Sequence, residues 1–133
     1  MMGTAFVSML FLISVVAQEI AESPLPPCPP SDNCIHAAYH YTLTPSVLAD
    51  HVEHSLRALS PESLESGFTD MHVLHAVYKV WFFRDDVHIA IIKNGEKSTL
   101  FIRSASRTGY SDLGVNRRRV DRIIKKLERL IAG

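Results

Sequence analysis

The chain has 133 residues, 47% of them hydrophobic and 21% charged, which suits one globular domain and excludes a disordered or fibrous protein. Fourteen basic residues balance fourteen acidic ones, but the balance hides a split. Residues 18–100 carry 5 basic and 11 acidic side chains, net −6, and residues 101–133 carry 9 basic and 3 acidic, net +6, so the two parts attract each other and the basic tail is the anion-seeking surface.

Ala5 to Ala17 form an uncharged apolar run. As a helix it would reach only about 20 Å, short of a ~30 Å hydrocarbon core. Val15 and Ala17 supply the small residues of a cleavage site, so residues 1–17 read as a signal peptide, although no Lys or Arg precedes the run. A retained anchor is the alternative, and membrane contact would otherwise be peripheral. A proline-rich lead-in over 18–36 follows, expected to be extended and poorly packed. It holds the only two cysteines, Cys28 and Cys34, whose even count suits one disulfide in an oxidising compartment. Metal binding would need two further ligands, and His36 is the nearest candidate. Export to a periplasm or to the outside follows from the leader and the cysteine pair together.

Residues 37–133 read as a single domain. Ala38 to Leu43 alternates Tyr39, Tyr41 and Leu43 against His40 and Thr42, which predicts a strand. Thr44-Pro45 reads as an N-cap and a first helical proline. A helix over 45–59 places Leu48, Val52, Leu56 and Leu59 on one face, and Ser60-Pro61 ends it. Met71 to Trp81 predicts a strand, Arg84-Asp85-Asp86 a turn and Val87 to Lys93 another strand. Asn94-Gly95 is a strong hairpin signal leading into a strand over 97–103. A polar loop then precedes a helix over 117–131, with an apolar stripe of Val120, Ile123, Ile124, Leu127, Leu130 and Ile131. Arg119, Arg122, Lys126 and Arg129 are expected on its other side. The expected fold is therefore α+β and two-layered: a mainly antiparallel four-stranded sheet, ordered β-α-β-β-β-α, with two helices on one face.

Chemistry concentrates in Arg103-Ser-Ala-Ser-Arg-Thr-Gly-Tyr-Ser-Asp-Leu-Gly-Val-Asn-Arg-Arg-Arg119. Guanidinium groups, hydroxyls and two glycines beside a helix start can hold an anion, because free N–H groups and the helix dipole converge there. The candidate ligand-binding set is Asp85, Asp86, Arg103, Ser104, Ser106, Arg107, Asp112, Asn116, Arg117 and Arg119. A second reading makes the same groups a clamp, with Arg103 or Arg107 pairing Asp112, Asp85 or Asp86. A third makes Asp85, Asp86 or Asp112 the acid–base group of a hydrolase-like enzyme whose charge is stabilised by Arg103 and Arg107. No catalytic residue is assigned, and no cofactor motif occurs.

Three histidine pairs raise the question of a metal: His36 and His40, His51 and His54, His72 and His75. His51 and His54 can meet on one helix face, whereas the spacing of three between His72 and His75 puts them on opposite faces of a strand. No metal site is assigned. The basic last helix carries Arg117, Arg118, Arg119, Arg122, Lys125, Lys126 and Arg129 without interleaved aromatics, so nucleic acid is not the expected partner. A solvated face, or a structural interaction module that docks through this helix on anionic lipid or another acidic envelope component, fits an exported chain better, and the anionic small molecule belongs to the loop before it.

The string from Arg103 to Arg119 resembles the signature of a bacterial and plastid family catalogued as a domain of unknown function. Cys28-Pro-Pro-Ser-Asp-Asn-Cys34 and Phe83-Arg-Asp-Asp-Val87 resemble two further pieces of its pattern, in the same order. The pattern is departed from at Ile35-His36-Ala37, where serines would follow the cysteine motif. The resemblance implies one small exported or organellar domain. It also implies that Asp85, Asp86, Arg103, Arg107, Asp112, Asn116 and Arg117 belong to one site.

Overall fold

The computed structural model of the protein describes residues 19–108 and 111–133, so the expected signal peptide lies outside the described residues. Thr44 has extended backbone, and its side chain accepts a hydrogen bond from the Val47 N–H, with Pro45 at the first helical position. That cap starts α1 (Pro45–Ala58), preceded by β1 (Cys34–Tyr41). Four strands follow: β2 (Ser63–Phe68), β3 (His72–Val80), β4 (Phe83–Asn94) and β5 (Lys97–Ser106). The last helix, α2, spans Val115–Ala132.

The strands form one antiparallel sheet in the order β1-β5-β4-β3-β2, so β1 and β2 are the edges. The helix α1 carries the chain from one edge to the other across a single face, and α2 returns to lie beside it. Leu48, Val52 and Leu56 of α1 meet Val120, Ile123, Ile124 and Leu127 of α2. Beneath them lie Leu74, Ala76, Val87, Ile89, Ile91, Leu100 and Ile102 of the sheet. Each fully buried large aliphatic side chain contributes about 1.5–3 kcal/mol. Two bonds stitch the layers: Ser55 Oγ donates to the Ile123 carbonyl at 2.6 Å, and Tyr78 OH to the Leu56 carbonyl at 2.7 Å.

The sheet has five strands where four were expected, and residues 19–21 add a short helical turn to the two long helices. The strand without a sequence signal is β2, Ser-Leu-Glu-Ser-Gly-Phe. Only its Leu64 reaches the core; the rest is exposed, and pairing with β3 holds it extended. The strands β4 and β5 also run past their expected ends. Asp85 and Asp86 sit inside β4 rather than in a turn, and Ser104 and Ser106 belong to β5 rather than to the loop expected after Arg103.

Both tight hairpins, β3–β4 and β4–β5, leave two residues unpaired and hold positive φ at the first of them. In β4–β5 that residue is Gly95, at 63°, where glycine is unstrained. In β3–β4 it is Trp81, at 58°, a conformation that costs a bulky residue on the order of 1–3 kcal/mol.

The lead-in is tied to the sheet rather than loose. His36 Nε2 meets Ser23 Oγ at 2.8 Å and His40 Nε2 meets Glu19 Oε1 at 2.6 Å, so residues 19–23 run along the face opposite the helices. Cys28 and Cys34 are joined as a disulfide with Cα atoms 5.7 Å apart. Closing a loop this short stabilises the fold by about 2 kcal/mol through the unfolded chain. Reduction, or a Cys28→Ser/Cys34→Ser variant, is expected to lower the urea-derived unfolding free energy by that amount. An unchanged midpoint would contradict this.

Candidate functional site

Successive residues of a strand point to opposite faces. Asp85 and Asp86 are therefore separated by the sheet, as are Ser104 and Ser106 from Arg103 and Arg107. The residues expected at one site form two clusters, one beneath each face, and Arg117 joins neither: it stands exposed on α2.

The inner cluster closes the end of the core where α2 begins. Arg119 Nη2 lies 2.7 Å from Asp85 Oδ2, with both side chains under a tenth exposed. Its guanidinium also lies over the Tyr78 ring, 5.1 Å from the centroid. Arg119 is thus buried, not on the solvent side of the helix as its spacing suggested. Asn116, fully buried, is the hub. Its Oδ1 accepts from Ser104 Oγ at 2.6 Å and Arg119 Nη1 at 2.9 Å. Its Nδ2 donates to Asp112 Oδ2, Ser106 Oγ and the Asn33 carbonyl at 2.6, 2.9 and 3.2 Å.

Asp112 caps α2 by accepting from the Gly114 and Asn116 N–H groups at 2.7 and 3.1 Å. Burial opposes its charge, but these bonds and that of the Asn116 side chain outweigh burial and hold its pKa below the usual carboxylate value. Asn33, from the cysteine loop, donates to the Thr108 carbonyl at 2.6 Å. The three sequence pieces therefore do meet here, as a satisfied hydrogen-bonded clamp rather than an open cradle.

The outer cluster lies on the face opposite the helices. Arg107 grips Asp86 through two bonds of 2.9 and 3.0 Å, and His75 Nε2 reaches the same carboxylate at 2.8 Å. The Arg107 bonds chiefly, aided by His75 and opposed by burial, bring the Asp86 pKa down to about 2. His75 stacks on His88 with ring centroids 4.2 Å apart and planes within 4° of parallel. The register then runs His75 to His88, His88 to Arg103 and Arg103 to His36, one row across four strands. Glu65 of β2 stands opposite His75 at the far end.

Three atoms in this row are shielded from solvent and make no hydrogen bond among the described residues: Arg103 Nε, His36 Nδ1 and His88 Nδ1. Arg103 has no carboxylate within 4 Å among the described residues, and its one contact is a long 3.5 Å bond to the Pro27 carbonyl. Burial first and the Arg103 charge second lower the pKa of His36. Burial first, then the charges of His75 and Arg103, lower that of His88 against the opposing charge of Asp86.

His36, His75 and His88 were absent from the candidate set. Their faces follow from alternation, but their alignment is a matter of register. That register rests on two-residue turns at 81–82, which pairs 75 with 88, and at 95–96, which pairs 88 with 103, whereas the sequence pointed to turns at Arg84-Asp85-Asp86 and Asn94-Gly95. His36 joins only through the long-range β1–β5 pairing. No group of three or more His, Cys, Asp or Glu side chains suited to a metal ion occurs among the described residues, and His51 and His54 stay on α1 apart from both clusters.

No curated protein matches the chain. Among solved structures, the crystal structure of TTHA0849 from Thermus thermophilus is similar with 13% identity and a TM-score of 0.38, over 74% of this chain and 97% of that one. The crystal structure of Ara h 8.0201 is similar with 9% identity and a TM-score of 0.42, over 75% of this chain and 98% of that one. The profile of the family described as Protein of unknown function (DUF1499) matches residues 24–127, and the chain belongs to that family.

Proposed function

We propose that this is an exported, non-enzymatic binding protein that holds a small carboxylate- or phosphate-bearing molecule at Arg103, between His36 and His88. The observation that carries the reading is that Arg103 Nε and the flanking His36 and His88 Nδ1 atoms are shielded and without partners, and that Arg103 has no counterion, among the described residues. Unmet buried polar groups cost about 1–3 kcal/mol each, and anionic oxygens would meet them. The loop before α2 is the weaker place for an anion, because its groups already bond to one another. The three carboxylates of the enzyme alternative are likewise engaged: Asp85 by Arg119, Asp86 by Arg107 and His75, and Asp112 by the start of α2.

Protonation should couple to binding. Without ligand, His36 and His88 titrate below the ordinary 6.5, so the unfolded chain binds more protons and stability falls as pH drops below 6.5. A bound anion favours the charged imidazoles, so its affinity should rise over the same range. Thermal unfolding against phosphate, sulfate and di- and tricarboxylates at pH 7.5 and 5.5 tests this. An anion at ~100 times its dissociation constant should add about 2.7 kcal/mol, several degrees, with tighter binding at pH 5.5. Arg103→Met should abolish the shift while leaving the ligand-free protein as stable or more so, since it removes an uncompensated charge. No shift with any anion, or an Arg103→Met protein that simply melts early, would defeat the reading.

A further inference from the structure

The β3–β4 turn is a separate feature, and it points to a surface rather than a small molecule. Trp81 and Phe82, side by side at its tip, are 83% and 90% exposed, and Phe83 and Leu113 are exposed beside them. Trp81, Phe83 and Leu113 rim one open cavity of about 360 Å³, with Arg118 on its wall. Arg118 also lines the adjoining groove with Lys79 and Arg122. Neither Lys79, Arg118 nor Arg122 has a carboxylate within 4 Å among the described residues, whereas Arg84 nearby is paired with Glu62. The turn holds its bulkiest residue at the strained position that Gly95 fills in the other hairpin. Clustered exposed aromatics mark an interaction surface. Tryptophan beside unpaired cations is the combination that suits the headgroup region of a membrane.

We propose that this tip docks on an anionic lipid bilayer, with Trp81, Phe82 and Leu113 entering the interface and Lys79, Arg118 and Arg122 meeting lipid phosphates. Charge complementarity favours lipid over another apolar protein surface, because Arg118 stands on the wall of the cavity that Trp81, Phe83 and Leu113 rim, and Lys79 and Arg122 line the groove adjoining it. Docking through the tip is independent of the anion site on the outer sheet face.

Trp81 is the single tryptophan of the chain, so its fluorescence reports on the tip alone, whatever residues 5–17 do. The full chain should be titrated with phosphatidylglycerol vesicles and with phosphatidylcholine vesicles, each with and without bromine-labelled acyl chains. Expected are a blue shift and bromine quenching of Trp81 with phosphatidylglycerol and little of either with phosphatidylcholine. An Arg118→Gln/Arg122→Gln variant, altered only at exposed positions, should partition about thirty-fold more weakly. The proposal is overturned if the chain co-sediments with vesicles while Trp81 stays unquenched, or if both lipids quench it equally. It is also overturned if emission shifts with protein concentration without vesicles, the mark of self-association through the tip.

Discussion

Replacing Asp85 by alanine is expected to lower the unfolding free energy by about 3–5 kcal/mol, because it strands the Arg119 guanidinium in the core. Arg119 lies 2.7 Å from Asp85, with side-chain exposures of 8% and 4%, so solvent cannot take over as counter-charge. Its other contacts, Asn116 Oδ1, Ser104 Oγ and the Tyr78 ring, are neutral. The cost is that of an orphaned buried charge, not the net worth of the pair. The double variant Asp85→Leu/Arg119→Met removes both charges and should therefore recover most of the loss or exceed the parent. Denaturant unfolding of parent, single and double variants decides the matter. A single variant within about 1 kcal/mol of the parent, the order of magnitude for an exposed pair, would mean that the pair is solvated in solution.

Asn116→Ala should cost roughly 3 kcal/mol by a different route, because truncation leaves at least two buried groups unmet, at about 1–3 kcal/mol each. Asn116 is fully buried and bonds to Ser104, Ser106, Asp112, Arg119 and the Asn33 carbonyl. Asn116→Leu restores the volume without the bonds, so it should lose nearly as much. If leucine is tolerated, packing rather than hydrogen bonding explains the position. A specific consequence follows for the cysteine loop, which Asn116 holds through the Asn33 carbonyl. Amide exchange at residues 31–34 should quicken in Asn116→Ala while the disulfide stays intact. Asp112 loses a bond that supports its charged form, so its carboxyl should titrate closer to the ordinary value.

Much of the clamp was legible by residue name but not by place. The arginine-serine string, the Asp85-Asp86 pair and the cysteine loop were each singled out, and they do converge. Reading Asp85 and Asp86 as one unit failed because both lie within β4, where neighbours face opposite sides. Reading Ser104 to Ser106 as loop failed because a Ser-Ala-Ser stretch lacks strand propensity, and pairing with β1 and β4 supplies what propensity does not. The outer histidine row carried no local signal, since its members come from separate strands.

From the sequence by itself came everything that depends on near neighbours: the Thr44-Pro45 start of α1, the apolar stripe of α2, the hairpin at Gly95, the α+β class and the pairing of the only two cysteines. These follow from periodicity, caps and turns, whose physics acts within a few residues. Only the tertiary structure decided what depends on strand register and packing. It made a strand of the polar edge segment Ser63–Phe68, buried Arg119 against Asp85, and aligned His36, Arg103 and His88. The reason is that backbone pairing and burial act between residues far apart in the chain, where neither composition nor spacing records which side chains will meet.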